Sequence, residues 1–480
     1  MKHFMLLRVL ALFLAGVLMS GAAKAQPLFD PAPWLKDLDI VEKAFATRYA
    51  NLDWFVFVRE VDPKTAFAEA RKRIERASSP VEAQAALRRL ADKIGDGHVE
   101  FEWRTPSISA ARSHDTCAEL GYDASYNGRA VVLPMAGYRA LPDDIDANLP
   151  AGLISAGGTT VGVLRIGTFG PQASPGICTR ALRELEMPAA GPCDENCAAK
   201  VEKRAYVILT RNLEERLRAL RRKGATALLL DLTGNGGGSE WAEAVARILT
   251  AKPLRSALLG FVRTPEWAEK WASLSRDLRS AAKKDGESRD QLLSWADQAD
   301  AASVEANKIC PSDAYWSGQR PSCTWLGNSG YATGLLADAS LAAINGKSWA
   351  SLVYSPAQYD FTPGIWSGPV VVAVDGDTWS AAEEVAAVLQ DNRAAVILGM
   401  PTGGAGCGHA SGAAPTELPH TKGQLKLPDC ARFRRDGSNE VAGIMPDIFT
   451  GSRYADGPKL KAQKLAAALP QALAKAAALR

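Results

Sequence analysis

The chain has 480 residues, a formal net charge of +3 and 47% hydrophobic residues. That length allows two to four structural units and a large buried core. A near-balanced charge without a basic stripe excludes nucleic acid as a partner, and no run is long and apolar enough for a stable membrane span.

The first residues read MKHFMLLRVLALFLAGVLMSGAAKAQ, with Lys2 and Arg8 before an apolar run and AKA before Gln26. This pattern predicts a signal peptide over 1–25, cut after Ala25, and an exported protein that is periplasmic or, alternatively, secreted. Residues 26–95 repeat apolar positions at steps of three and four, which predicts an N-terminal helical domain. The pattern stops at GDGHVEFEW, and residues 96–160 are expected to form a His-bearing turn and a small β-rich region, with RAVVLPM and GLISAGG as short strands. Over 161–251, TVGVLRIGTF and GATALLLDL read as buried strands, separated by a helix and followed by GNGGG and another helix. After an interruption over 252–366, residues 367–480 repeat the scheme: GPVVVAVDGD, a glycine turn, the helix SAAEEVAAVLQD, the strand AAVILGM, and a C-terminal helix. Strands alternating with helices predict an α/β core of βαβ type.

The interruption holds seven of the twelve tryptophans, which suits either a packed covering insertion or a lid that touches substrate. Behind an export signal, eight cysteines read as disulfides. Cys310 with Cys323 and Cys407 with Cys430 each close a short loop, whereas the pairing of Cys117, Cys178, Cys193 and Cys197 stays open. CDENC lacks a second Cys pair or clustered histidines, so neither metal nor cofactor is expected.

Three places could carry chemistry. Ser380 in DGDTWSAAEE stands at a helix start, as an N-cap or as a nucleophile beside free amides. The glycines of DLTGNGGGSE form either a tight turn or an oxyanion hole; no Lys-Ser/Thr follows, so it is not a phosphate loop. His98, in GDGHVEF, lies where a base for a serine could project, although a lone histidine is more often structural than catalytic.

In order, DGH (96–98), DLTGNGGG (231–238), DTWSAAEE (377–384), LQDNRAAVILGMPTGGAG (389–406) and GIMPD (443–447) resemble the carboxyl-terminal-processing, or tail-specific, serine protease family. The likeness is to its histidine-using branch, related to the tricorn core protease and the retinoid-binding repeats. It implies a ClpP/crotonase-like α/β core and a serine peptidase acting on protein or peptide substrates. Relatives with a Ser–Lys dyad carry lysine where this chain has Ala405. The resemblance therefore implies Ser380 as nucleophile, His98 as base and Glu440 as the carboxylate that orients His98 and raises its pKa, with Asp436 as the weaker candidate. Backbone amides of Ala381 and of Gly236 or Gly237 would hold the oxyanion, and His409 is the runner-up base. Thr233 stands where the family has arginine, and residues 106–160 lack the signature of a PDZ module. A catalytically silent ligand-binding relative and an esterase or amidase using the same Ser/His pair are the competing functions.

Overall fold

The computed structural model describes residues 29–103 and 115–479. The signal-peptide segment and residues 104–114 of the expected β-rich region, His114 included, lie outside the described residues.

The centre of the fold is a seven-stranded sheet in the order 448–449, 396–399, 370–374, 227–231, 159–165, 151–156, 139–140. From the first strand to Thr159–Arg165 neighbours run parallel, and the last two pairs are antiparallel. Ala227–Asp231 and Val370–Val374 are buried at every position, because both faces of the sheet are covered. One face packs Leu228, Leu230, Val370 and Val372 against helices that include Glu195–Arg222, Trp241–Ile248 and Ala381–Asp391. The other packs Leu229, Val371 and Leu398 against the C-terminal helix Pro458–Ala477. This mixed α/β architecture agrees with the fold class read from the sequence.

RAVVLPM does not form a strand. Val131 and Val132 instead give their amides to Thr233 Oγ1 and Asp231 Oδ2, at 3.0 and 3.4 Å, and their side chains close the second core. The sequence GLISAGG does begin a strand, Ala151–Ala156.

Three helices, Ala32–Arg48, Pro63–Glu75 and Pro80–Ile94, form the N-terminal helical region. The third opens on Ser79, whose Oγ accepts from Glu82 N, and closes on Gly95 at φ 74°. That left-handed cap turns the chain straight into Asp96-Gly97-His98. A short sheet then joins Glu100–Trp103 to Gly423–Lys426 and Thr416–Leu418.

Within 252–366, helices Pro265–Lys284 and Arg289–Ala306 pack on each other. Strands Leu258–Val262 and Leu326–Tyr331 form a separate sheet with Cys430–Phe433, from near the chain's C-terminus. Trp267, Trp271, Trp295 and Trp349 fill the core of this unit; each buried aromatic contributes on the order of 2–3 kcal/mol. Disulfides link Cys117–Cys178, Cys193–Cys197, Cys310–Cys323 and Cys407–Cys430, leaving no free cysteine. No helix among the described residues is long and apolar enough to cross a membrane.

Candidate active site

Two neighbouring parallel strands, Ala227–Asp231 and Val370–Val374, end side by side, and the turns that follow them are zipped together. Gly234 N donates to Asp375 Oδ1 at 2.8 Å, Trp379 N to Asn235 O at 2.9 Å, and Thr378 Oγ1 to Leu232 O at 2.9 Å. Below them Asp231 is buried between Thr233 and Arg165, and Arg165 also donates to the carbonyl of Thr233 at 2.7 Å. A guanidinium from the adjacent strand thus anchors the turn in which Thr233 replaces the family's arginine. The crevice lies outside the carboxyl ends of parallel strands, the usual place for a ligand in an α/β sheet.

Ser380 follows at φ 55° and ψ −116°, a conformation that costs a residue with a Cβ about 1–3 kcal/mol. Two anchors hold it there. Gly237, at φ 103°, passes so close that a Cβ on it would lie 2.7 Å from Ser380 Cβ, so only glycine fits. Ser380 N donates to the carboxylate of Glu383 at 2.8 Å. The same carboxylate accepts from Thr402 Oγ1 and from the amides of Gly404, Ala405 and Gly406, over 2.6–3.3 Å. Glu383 therefore ties the start of the serine helix to the PTGGAG loop. Burial raises its pKa, and the donors around it oppose the rise.

His98 Nε2 lies 3.1 Å from Ser380 Oγ, and its Nδ1 lies 2.7 Å from the carbonyl oxygen of Ala405. A carbonyl only accepts, so Nδ1 carries the proton of the neutral ring and Nε2 is the acceptor for the serine hydroxyl. Where Ser–Lys relatives place an amine side chain, this chain supplies a backbone oxygen to the histidine. Asp96 holds the other side of the turn. Its carboxyl accepts from His98 N, Asn51 Nδ2 and Tyr49 Oη, at 3.0, 2.8 and 3.1 Å. The first helical region thereby fixes the histidine. Burial pushes the Asp96 carboxyl up to about 7.

Glu440 does not touch His98. It is fully buried, and its Oε2 accepts from Arg432 Nε at 2.6 Å. Arg432 reaches on to the carbonyls of Ser380 and Gly406, at 3.1 and 3.0 Å, and lies 3.4 Å from Glu384. With Glu440 bound to Arg432 and not to the imidazole, the expected rise in the histidine's pKa does not occur. Burial lowers it to about 4, against the raising effect of the Ala405 carbonyl and with help from His409 and Arg432. Asp436 caps the exposed turn at Ser438 and stays out of the site. His409 stands edge-on behind His98, its ring centre 5.7 Å away, while His98 makes the contact with Ser380.

The amides of Ala381 and Gly236 donate to no acceptor among the described residues. Gly237 N is committed to Asn235 Oδ1 at 2.8 Å, so of the two glycines Gly236 has the free donor. A hydroxyl, a neutral imidazole aimed at it and unpaired amides beside it are the components of acyl transfer.

The family model for peptidase family S41 matches residues 204–450. The chain belongs to peptidase family S41. Ser380, Glu440 and the glycine turn fall inside the matched segment, whereas His98 precedes it. Mature CPAF is similar to this S41 peptidase at 14% identity and a TM-score of 0.57, over 93% of this chain and 98% of that one. CPAF complexed with lactacystin gives 15% identity and a TM-score of 0.53 over the same shares. The photosystem II D1 C-terminal processing protease gives 13% identity and a TM-score of 0.34, over 93% of this chain and 99% of that one. A comparison with curated proteins found no match. The S41 protein is a serine-type peptidase.

Glu383 and Arg432 complete the site without having been singled out in the sequence, and Ala405, noted there only for the lysine it replaces, does so through its carbonyl. For Glu383 a signal existed, since Ser followed three residues later by Glu is the spacing of a capping box. For Ala405 there was none, because its contribution is a main-chain oxygen.

Proposed function

We propose that this S41 peptidase is exported and hydrolyses peptide bonds with Ser380 as nucleophile and His98 as general base. As Ser380 Oγ bonds to the peptide carbonyl carbon, its proton passes to His98 Nε2, and the carbonyl becomes an oxyanion facing the amides of Ala381 and Gly236. The C–N bond then breaks, and Nε2–H delivers the proton to the leaving amine. Water, deprotonated by the same nitrogen, then bonds to the acyl carbon; the bond from that carbon to Ser380 Oγ breaks, and Nε2–H returns the proton to Oγ. Ala405 O keeps Nδ1 protonated throughout. Glu440 serves as a positioning residue, acting through the Arg432 bonds to Ser380 O and Gly406 O.

The observation that carries this reading is the pair of contacts on one imidazole, 3.1 Å to Ser380 Oγ and 2.7 Å to Ala405 O. Export is supported by four disulfides, which persist in oxidising compartments, and by the charged-then-apolar opening of the sequence. Labelling with a fluorophosphonate probe tests the pair. The wild type is expected to react, and Ser380→Ala and His98→Ala are not. Label that survives in His98→Ala but disappears in His409→Ala would reassign the base, and casein digestion separates peptidase from esterase.

A further inference from the structure

A cleft of about 940 Å³ opens between the Trp-rich unit and the loop around residue 410, and Glu384 of the serine helix lines it. Its inner end is built from the site itself. Glu384 lies one helical turn beyond Ser380, Arg432 holds the Ser380 carbonyl, and Glu240 follows three residues after Gly237. The indoles of Trp267 and Trp271, with Leu259 and Leu274, give it apolar walls.

Charge in this cleft is out of balance. Five carboxyl side chains line it (Glu240, Glu266, Glu269, Asp277 and Glu384), against the two cations Lys270 and Arg432. Both cations are already engaged: Arg432 by Glu440, and Lys270 by the carbonyl of Ala410 and the face of Trp267. Glu269 is paired with Arg276 and Glu266 with Arg48, neither of which lines the cleft. Glu384 is held only weakly. It is 5% exposed, and its one hydrogen bond among the described residues is the 3.4 Å contact from Arg432 to Oε2. A carboxyl this buried with so weak a partner is unfavourable unless a cation arrives. Burial, helped by nearby Glu243, Glu440 and Glu240 and opposed by Arg432, accordingly holds its pKa well above the usual value.

We propose that this cleft selects a lysine or arginine side chain of the peptide substrate, with Glu384 as the inner counter-charge and Glu240 at the rim. The aliphatic stem of such a residue packs along indole faces while its head reaches the carboxylates. This rests on the Ser380 mechanism above and names the substrate that mechanism would meet.

The test maps cleavage sites in a denatured protein digest by mass spectrometry, then measures fluorogenic peptides that differ only at the enriched position. Lys or Arg is expected to be enriched at one position within a few residues of the cut, and such peptides should exceed the Leu peptide in kcat/KM by about tenfold or more. Glu384→Gln should reduce that ratio several-fold. Because Glu384 is buried against Arg432, Glu240→Gln at the rim is the second arm and should reduce it in the same direction. Absence of basic enrichment, or a ratio unchanged in both variants, overturns the proposal. Fluorophosphonate labelling of the same preparations separates the two levels. Ser380-dependent label without basic preference removes the specificity alone, and no such label removes the mechanism and this inference with it.

Discussion

If His98 Nε2 takes the proton of Ser380, activity falls in acid only when that nitrogen becomes protonated, and burial holds its pKa near 4. An unperturbed histidine, at about 6.5, would be only ~3% neutral at pH 5, whereas one at about 4 is ~90% neutral, a roughly thirtyfold difference in usable base. The assay is kcat/KM for a fluorogenic peptide between pH 3.5 and 8, which reports the free enzyme. The expected profile stays flat well below pH 6.5 and bends near 4. A midpoint at or above 6.5 would mean that His98 is solvated or paired with a carboxylate, and the reasoning from burial and the Ala405 carbonyl would fail. Unfolding is the poorer readout. A histidine lowered from 6.5 to about 4 contributes stability that is lost as pH falls from about 6.5 towards 4. An Asp96 raised from 3.8 to about 7 contributes stability that is lost as pH rises over much the same window. The two slopes oppose each other, so thermal midpoints would hide what rates reveal.

Gly237→Ala drives a methyl group against Ser380 Cβ and should lower kcat/KM at least a hundredfold while far-ultraviolet circular dichroism stays native. A variant within tenfold of the wild type would show that the turn does not abut the nucleophile. Arg432→Met leaves Glu440 and Glu384 buried without a cation and should cost about 3–5 kcal/mol in urea unfolding; a loss below about 1 kcal/mol would contradict the network. Replacing Cys407 and Cys430 together by serine opens a crosslink between residues 23 apart and should cost about 3 kcal/mol and slow fluorophosphonate labelling, since the linked loop carries Ala405. Unchanged labelling would show that the loop holds its place without the bond.

Much of the fold was legible in the sequence because fully buried parallel strands write continuous apolar runs, as at Leu228–Leu230 and Val370–Val374. RAVVLPM misled for the same reason: apolar alternation records burial, and those residues are buried with their amides bonded to side chains. In the site, the order of DGH, GNGGG and the serine turn pointed to Ser380 and His98, because those roles need particular side chains. The partner of His98 Nδ1 was hidden, since any residue owns a carbonyl and only the fold aims it. Glu440 stood out by its place in a motif, yet Arg432 captures it first, a long-range pairing that spacing cannot display.

The positive φ of Ser380 has a further consequence. Glycine is the residue this backbone would prefer, so Ser380→Gly should relax the turn and make the protein more stable by about 1 kcal/mol, whereas Ser380→Ala keeps the strain. Random drift towards stability would therefore tend to erase the hydroxyl. On the Ser380 mechanism proposed above, an inactive yet sturdier variant therefore lies one substitution away.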